Sequence, residues 1–589
     1  MLDANKFSAL GFYSGASNAE DNDERLLAID SNGRAFAGMS GGIRVIDMTA
    51  PPIVNPSDGN FSGPWCPLPT TTTAPLNVSE QYALGSPAPT SGTSYYFGGQ
   101  PTPLLSNGTQ IVIPASSIAG AVNIECVGPD GNTFVYATGF SYGVDTIGVS
   151  ANLIPPSGNP STYVFGFGFS ATPTISVAGQ SAAVVSVSNP ITPLQVAQFH
   201  VPNGTPGEAA TVAVSSTNGS GSSAQAMTYI PAATIIPVSG LLQVLFDSHR
   251  NLLYALQATQ VNVLNPSTLQ WQSPIPLSGA GASTTYNLMA LSPDGSHLVV
   301  ESPTGKLAII NPDNPSQAST VTVTADVDGI SQSVVITKNN QALVAAPFGS
   351  QNNVVDLSNL TVTSFTGYLG QLVRASADGS ALFGVDLNVS SGQVYSINPT
   401  TFAVQSPRPF GFVFWTDLAV SANGSQFAAI DGTPGAAGDI VGFYSPAMNL
   451  LNLSVYPLVS PPDDVQVLGS TFSPGGNVLV VPLGDSIELW DTATGTLRAR
   501  LMSPEELHVL VYPEAPVAPQ IALDATGQSI FAISASGLSV LKLPETVDNL
   551  PSNPWSSVLR APDQAREHSA ALSPRMSEMQ KPTRSKESR

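Results

Sequence analysis

One short segment recurs along the chain and limits the kind of fold that the chain can form. It consists of an apolar strand, a tight turn of Ser, Asp, Asn and Gly, and a second apolar strand, as in LSPDGSHLVV at residues 291–300. Turns of this composition are typical of β-hairpins. The first turn residues of the matching segments are Asp30, Asp247, Ser292, Thr337, Ser376, Ser421, Ser473 and Asp524.

The spacing of these turns indicates a repeat architecture. From Asp247 onward they are 45, 45, 39, 45, 52 and 51 residues apart, and a third strand such as KLAIINP from Lys306 follows in many units. Small sheets repeated at this period pack radially as the blades of a β-propeller. We therefore predict an all-β fold built on a seven- or eight-bladed propeller, and the eight turns favour eight blades.

One interval is too long for a single blade. Asp30 and Asp247 are 217 residues apart, which leaves roughly 175 residues beyond one ordinary unit. The excess, residues 58–231, is rich in Pro, Gly, Ser and Thr, and within it residues 113–143 align with residues 201–230. Two β-sandwich modules of about 85 residues, near the size of an immunoglobulin-like domain, fit this length.

Particular residues carry resemblances to known families. The run IPPSGNPSTYVFGFGFSATPTISVAGQ, the later VPNGTPGEAATVAV and the final AMTYIP resemble an IPT/TIG immunoglobulin-like domain; the first module resembles it more loosely. The SPDG-type units resemble the YVTN/lactonase-like propellers of bacteria, although the YVTN tetrapeptide is absent. These resemblances imply folds and specify no reaction.

The predicted organisation follows from the repeat and the insertion. The last unit has little strand-like sequence after its third strand, so we predict that residues 6–14 complete it and close the ring. The predicted domains are N-terminal propeller strands with a first blade at 1–57, a degenerate IPT/TIG-like sandwich at 58–145, an IPT/TIG sandwich at 146–231, the remaining blades at 232–545 and a disordered basic tail at 546–589.

The charge balance argues against nucleic acid as a partner. The formal net charge is −21, from 40 acidic and 19 basic residues, and seven of the basic residues lie in the last 45 positions. A body this acidic repels a phosphate backbone. The sequence also lacks a run of 18 apolar residues that would predict a transmembrane helix, and we expect a monomer.

The two cysteines leave two interpretations open. Cys66 and Cys126 both lie in the first inserted module. They form either an inter-strand disulfide, which would indicate an oxidising compartment, or one buried and one exposed thiol. The weakly charged surface, rich in Ser, Thr and Gly, suggests export, whereas MLDANKFSALGF has no signal-peptide pattern. We expect an extracellular or cell-surface protein whose export signal is missing from this chain.

Two charged residues stand out where the predicted inner strands begin. Resemblance to lactonase-like propellers implies that catalytic or metal-binding side chains would gather around the channel mouth. At the two aligned positions nearest the channel, Arg374 and Asp417 are the charged residues. They are either an ion pair between neighbouring blades, because a lone buried charge is costly, or an anchor for a ligand carboxylate or hydroxyl.

Other candidates are weaker. Asp21, Asp23 and Glu24 lack the Gly and the distant Glu of a calcium loop, and the acidic pairs Asp326/Asp328 and Asp463/Asp464 precede predicted inner strands. The five histidines form no recognisable catalytic order, and the single Trp490-Asp491 pair indicates strand-end packing. We predict no cofactor and no metal.

The sequence favours binding over catalysis. We expect a non-enzymatic recognition or scaffold protein that binds a protein or carbohydrate through propeller and sandwich loops. The alternative is a lactonase-like or carbohydrate-processing hydrolase with its site at the channel mouth.

Overall fold

The fold was examined in a computed structural model of the chain. It describes residues 2–3, 8–9, 27–29, 34–39, 42–47, 67–86, 88–129, 133–158, 160–191, 194–277, 288–302, 305–323, 333–346, 351–387, 392–409, 416–431, 440–455, 469–507 and 520–551. Within these residues the regular structure is β-strand, apart from one 3-10 turn at Pro315–Gln317. The prediction of an all-β chain is confirmed.

Twenty strands precede residue 230. In chain order they are β1 Leu2–Asp3, β2 Ser8–Ala9, β3 Leu27–Ile29, β4 Arg34–Met39, β5 Gly42–Asp47, β6 Thr73–Ala74, β7 Glu80–Ala83, β8 Ser94–Phe97, β9 Gln100–Thr102, β10 Gln110–Ile113, β11 Gly120–Val127, β12 Thr133–Tyr142, β13 Asp145–Val149, β14 Leu153–Ile154, β15 Ser161–Phe167, β16 Thr174–Val177, β17 Gln180–Ile191, β18 Leu194–His200, β19 Ala209–Ser216 and β20 Gly219–Tyr229.

The remaining strands have two to seven residues and are more regularly spaced. They are β21 Ala232–Pro237, β22 Leu241–Asp247, β23 Leu252–Gln257, β24 Gln260–Asn265, β25 Gln270–Trp271, β26 Ile275–Pro276, β27 Met289–Leu291, β28 Leu298–Ser302, β29 Lys306–Ile310, β30 Ser319–Thr322, β31 Ser333–Ile336, β32 Gln341–Ala345, β33 Asn352–Asp356, β34 Thr361–Phe365, β35 Leu372–Ala375, β36 Leu382–Val385, β37 Gln393–Ile397, β38 Val404–Pro409, β39 Asp417–Val420, β40 Phe427–Asp431, β41 Ile440–Tyr444, β42 Leu450–Val455, β43 Thr471–Phe472, β44 Val478–Leu483, β45 Ser486–Asp491, β46 Thr496–Met502, β47 Ile521–Leu523, β48 Ser529–Ser534 and β49 Gly537–Lys542.

The chain forms two compact units. Unit 1 comprises the described parts of Met1–Ser150, Ser161–Pro202 and Ala210–Ala226. Unit 2 comprises those of Ala151–Pro160, Asn203–Ala209 and the chain from Met227 onward.

Unit 2 is a ring of small antiparallel sheets. Its described residues form seven sets of antiparallel strands, which we call sheets 1 to 7 by chain order: β22–β26, β27–β30, β31–β34, β35–β38, β39–β42, β43–β46 and β47–β49; β46 of sheet 6 also pairs in parallel with β14. The first strands of sheets 1 to 6 contact one another in succession, and β47 of sheet 7 contacts β22 of sheet 1. Unit 2 is therefore a β-propeller, since radially packed sheets with their first strands at the centre define that fold.

The last sheet receives its fourth strand from β21. Antiparallel pairing runs from Ala232 opposite Lys542 to Pro237 opposite Gly537, so the segment that precedes sheet 1 completes sheet 7. This pairing differs from our expectation that residues 6–14 close the ring. Within that segment the structure describes Ser8–Ala9, which pair with Leu2–Asp3. A strand adjacent in sequence to sheet 1 reaches the edge of sheet 7 without a long connection, because both sheets are neighbours in the ring.

The repeated turn connects the first two strands of each sheet. Gly379, in the turn of sheet 4, has a φ of +64°, and a Cβ atom there would lie 2.3 Å from the backbone nitrogen of Lys338 in the turn of sheet 3. Only glycine combines that backbone conformation with so close an approach. The turn glycine therefore allows neighbouring turns to touch.

Apolar side chains fill the spaces between adjacent sheets. Val299 of sheet 2 and Val344 of sheet 3, both 0% exposed, share one cluster, and the other interfaces have similar clusters. The cluster at sheets 6 and 7 includes Leu153, Val547 and Leu550. The packed chain thus continues past the boundary expected at residue 545.

In unit 1, β3, β4 and β5 form a meander. Its last strand pairs with Thr133–Val135 of β12. This pairing differs from our expectation that residues 1–57 contribute a first blade. The backbone groups at this edge of β5 are satisfied by β12, which contributes Phe140 to a core that also includes Ile124.

Elsewhere in unit 1, β17 belongs to two layers of strands. Its start, Gln180–Ala182, pairs with β16, and from Ala183 onward it pairs with β18, with a register shift between Val184 and Ser186. One layer has the order β13-β15-β18-β17 and the other continues β17-β16-β19-β20. A strand that bends from one sheet into a second is a common way to form the corner of a β-sandwich.

Candidate functional site

The first strands of unit 2 surround a central channel. Its cavity has a volume of about 570 Å³ and is lined by residues of β22, β27, β31, β35, β39, β43 and β47 with the turns that follow several of them. The wall combines aliphatic side chains such as Val335 and Ala419 with the polar residues Arg374, Ser470 and Thr471. A cavity of this size falls within the range of small-molecule sites.

The structure brings the two predicted site residues together. Arg374 on β35 and Asp417 on β39 lie in neighbouring sheets, with Nη2 of the guanidinium 3.8 Å from Oδ1 of the carboxylate. Both are buried: the side chain of Arg374 is 8% exposed and that of Asp417 is 0% exposed. The ion pair between neighbouring units is thus present in the structure.

Each member of the pair is also bonded to backbone. Arg374 Nε donates to the carbonyl oxygen of Leu418 at 3.3 Å. Asp417 Oδ1 accepts from the N–H of Leu418 at 2.8 Å, and Oδ2 accepts from the N–H of Ser470 at 2.6 Å. The two side chains therefore connect the first strands of sheets 4, 5 and 6.

Burial dominates the electrostatics of the pair. It raises the pKa of Asp417 because the charged carboxylate loses hydration, and Arg374 and the hydrogen bonds from Ser470 and Leu418 counter part of this effect. Burial lowers the pKa of Arg374, and the Asp417 charge opposes that change. Arginine remains protonated in proteins, so Arg374 presents a positive charge at the wall of the channel.

Asp417 lies four residues before the first turn residue of its repeat, Ser421. Polar residues at the same position in three other repeats also bond to the backbone of a neighbouring sheet. Gln243 accepts from the N–H groups of Leu288 and Met289, both at 2.9 Å, and donates to the Met289 carbonyl at 2.7 Å. Ser333 Oγ accepts from Val373 N at 3.1 Å, and Gln520 Nε2 donates to Leu242 O at 3.0 Å.

We call Gln243, Ser333, Asp417 and Gln520 the inter-sheet clamps. They belong to sheets 1, 3, 5 and 7, and the same repeat position in sheets 2, 4 and 6 is Leu288, Leu372 and Gly469. The charged residue Asp417 was predicted at this position from the sequence, but the structural role of the position was missed. The alternation of polar and apolar residues around the ring is the signal that could have indicated it.

The turns at the opposite end of the first strands are also linked. Arg250 Nη1 donates to Gly295 O at 2.8 Å, and Asn340 Nδ2 donates to Asp294 Oδ2 at 3.3 Å. The N–H of Asp378 donates to Ala422 O at 3.1 Å. The recurring segment therefore has a second role besides reversing the chain: it joins neighbouring sheets.

The other candidate site residues predicted from the sequence either contact nearby residues or lie outside the described residues. His249 lies at the turn end of the channel with Nδ1 3.6 Å from Asp247 Oδ1. Trp490 is buried and donates to Glu488 Oε2 at 2.9 Å, consistent with strand-end packing. Residues outside the described part include Asp21, Asp23, Glu24, Asp326, Asp328, Asp463, Asp464, His508 and His568. Within the described part, no three His, Cys, Asp or Glu side chains are grouped closely enough to hold a metal ion.

Cys126 lies on β11 in the hydrophobic core that also includes Ile124 and Phe140. It is fully buried and disulfide-bonded. The chain has one other cysteine, Cys66, which lies outside the described residues.

The two ends of the first strands differ in the length of their connections. Eighteen residues separate Met502 from Ile521, and fifteen separate Val455 from Thr471, where one sheet leads to the next. The turn between Phe472 and Val478 has five residues. We call the end with the long connections the loop face.

Comparisons with known proteins identify no family for this chain. No protein-family model matches the chain, and no curated protein matches it. Solved structures similar to it include hydrazine synthase of Kuenenia stuttgartiensis and the β-propeller domain of Cps50 (Swd1) of Myceliophteria thermophila. Each is 14% identical to this chain with a TM-score of 0.42; the alignments cover 53% of this chain and 98% and 99% of theirs.

The described residues contain no helix with the length and apolar character needed to cross a membrane.

Proposed function

We propose that this chain is a secreted or cell-surface recognition protein that binds a protein or carbohydrate partner and does not catalyse a reaction. The observation that carries the proposal is the role of the four inter-sheet clamps. Asp417, Gln243, Ser333 and Gln520 each bond to the backbone of the next first strand. Side chains engaged in this way stabilise the ring and are poorly placed for proton transfer, which requires a group within reach of a substrate.

The partner would bind at the loop face. Binding residues are found disproportionately on loops held by a rigid scaffold. The connections of ten or more residues on this face contrast with turns of four to six residues at the other end. Tyr368, on the described connection that precedes β35, is 37% exposed and donates to Asp386 Oδ1 at 2.5 Å, so one tyrosine is already held at the surface of this face.

The finer architecture belongs to the same proposal. We interpret the seven sheets as seven blades, with the ring closed by β21. We interpret residues 58–145 as a degenerate IPT/TIG-like module and residues 146–231 as a regular one. The resemblance of the Gly-Phe-Gly-Phe and Pro-x-Gly motifs supports this interpretation, as does the two-layer arrangement around β17. Such modules would extend the surface available to a partner.

An oxidising location is part of the proposal. The disulfide at Cys126 supports it, because stable disulfides form in secreted and surface proteins. Mass spectrometry of non-reduced peptides from secreted material should identify a Cys66–Cys126 cross-link. Recovery of Cys66 as a free thiol would contradict the assignment.

The binding proposal is tested with the full chain on a panel of immobilised oligosaccharides. We expect saturable binding that is lost when residues 508–519, which lie in sequence between Met502 and Ile521, are replaced by a short Gly/Ser linker. A matched control replaces the four residues 248–251 at the turn end with the turn SPDG and should retain binding.

The competing proposal is a lactonase-like hydrolase that uses the channel, whose size and charged lining favour it. Lactone and ester hydrolysis should be measured with and without calcium or magnesium, in the wild type and in Arg374→Ala and Asp417→Ala. Turnover well above background that either substitution abolishes would replace the recognition proposal with the hydrolase. Background turnover in every case supports binding.

A further inference from the structure

The channel of unit 2 combines one buried positive charge with an aliphatic wall. Arg374 lies in the lining with Leu418 and Ser470, and Val335 and Ala419 belong to the same wall. Buried cations are rare unless they are paired, because removing a charge from water is costly. The position of Arg374 therefore requires a partner for its charge.

Asp417 supplies the counter-charge to Arg374. Asp417 is fully buried, and its two oxygens accept hydrogen bonds from the N–H groups of Leu418 and Ser470. The distance of 3.8 Å from its Oδ1 to Arg374 Nη2 is longer than a charge-assisted hydrogen bond, which is about 2.7–2.9 Å. Asp417 is thus oriented mainly by backbone amides and holds Arg374 electrostatically.

Arg374 is in turn held by a backbone carbonyl group. Its Nε donates to Leu418 O at 3.3 Å, which fixes the guanidinium against the first strand of the next sheet. A guanidinium is planar, and its donors match the two oxygens of a carboxylate in a bidentate pair. A ligand in the cavity would meet a pre-positioned guanidinium next to an aliphatic wall.

We propose that the central channel of unit 2 binds a small organic carboxylate, whose acid group pairs with Arg374 and whose aliphatic body packs against Val335 and Ala419. The cavity of about 570 Å³ accommodates such a molecule. Arg374 is the binding residue, and Asp417 is a positioning residue. This site is separate from the loop-face recognition proposed above and does not depend on it.

The test compares three probes that differ in charge and length. Binding of acetate, hexanoate and the neutral hexanamide to the full chain is measured by isothermal titration calorimetry. We expect hexanoate to bind with 1:1 stoichiometry, at least tenfold more tightly than hexanamide because of the Arg374 pair, and more tightly than acetate because of the wall. Tenfold corresponds to about 1.4 kcal/mol.

Two variants locate the site. Arg374→Met combined with Asp417→Asn removes both charges, so neither is left buried alone, and should reduce the preference for hexanoate over hexanamide to less than twofold. Arg374→Lys keeps the charge and should retain part of the preference. Thermal unfolding of each variant confirms that it is folded.

Either of two results would overturn the proposal. One is equal affinity of the wild type for hexanoate and hexanamide, or binding of neither; this outcome needs no variant. The other is an undiminished preference for hexanoate in the folded double variant. Loss of oligosaccharide binding on replacement of residues 508–519 would leave these results unchanged, so the two proposals fail separately.

Discussion

The side chain of Gln243 exchanges two hydrogen bonds with the backbone of Met289. Its Oε1 accepts from the Met289 N–H at 2.9 Å, and its Nε2 donates to the Met289 carbonyl at 2.7 Å. The side-chain amide of Gln243 thus makes the two hydrogen bonds that a neighbouring strand would otherwise make with Met289. It thereby joins sheet 1 to sheet 2 at the channel.

Substitution of Gln243 by Met should destabilise unit 2 by about 1–3 kcal/mol, because buried N–H and carbonyl groups lose their partner. Leu288→Met is the matched control: it is the same repeat position in sheet 2 and should cost less than about 1.5 kcal/mol. Urea unfolding followed by tryptophan fluorescence measures both. Equal effects of the two substitutions would show that the Gln243 hydrogen bonds contribute little.

Arg374 and Asp417 should behave as a coupled pair. Arg374→Met alone leaves the Asp417 carboxylate buried without its cation and should cost about 3–5 kcal/mol. The double variant Arg374→Met, Asp417→Asn should lie closer to the wild type than Arg374→Met does, since no isolated charge remains. A double-mutant cycle from thermal unfolding measures this coupling, and additive losses would argue against it.

Acid should weaken the turn between the first and second strands of sheet 2, β27 and β28. Hydrogen bonds from Ser292 and Ser296 hold the pKa of Asp294 well below its usual range. A carboxyl group with a lowered folded pKa contributes stability above its unfolded pKa of about 3.9, and this contribution is lost as the pH falls through the folded value. The advantage of the wild type over Asp294→Asn in Tm should therefore shrink below about pH 4.

Sheet 5 offers the reciprocal substitution. Asn423 occupies the position of Asp294 and accepts from Ser425 N at 3.0 Å. Asn423→Asp should add pH dependence of the same sign, with a higher Tm at pH 7 than at pH 3 relative to the wild type. A Tm difference independent of pH for both variants would contradict the assignment of the lowered pKa to these turns.

Closure of the ring should depend on the buried side of β21. Ile236 is 9% exposed, packs with residues of β49, and lies opposite Leu538. Ile236→Asp should loosen this strand because an unpaired charge is costly to bury. Thr234→Asp, at an exposed position of the same strand, is the control. Limited proteolysis should cleave near residue 232 faster in Ile236→Asp; equal rates in the two variants would exclude this closure.

Local patterning was enough to predict the propeller. The turn segments at Asp247 through Asp524 each connect the first two strands of one sheet, because their glycine or asparagine residues and hydrogen-bonding side chains act within a few residues. The segment at Asp30 has the same local pattern, yet its flanking strands β3 and β4 join a sheet of unit 1 through β5. The local sequence pattern determines that a hairpin forms. The rest of the fold determines which sheet edge that hairpin pairs with.

The site was predicted in part for the same reason. Alignment on the turn placed Arg374 and Asp417 in neighbouring units, and the structure places them 3.8 Å apart. The clamp formed by Gln243 could not be deduced from its own segment, since its partner Met289 is 46 residues away. Contacts between sheets depend on the radius and stagger of the ring, which no single repeat encodes.

Ring closure by β21 has a consequence for biosynthesis. Ala232–Pro237 leaves the ribosome about 300 residues before its partner Gly537–Lys542, an interval of about 15 to 60 s at 5–20 residues per second. Throughout that time the emerging chain has sheets that can form but no closed ring. β21 must stay unpaired, with Ile236 in contact with water, until β49 has been translated. This interval is therefore the period in which the nascent chain is most exposed to aggregation and most in need of a chaperone.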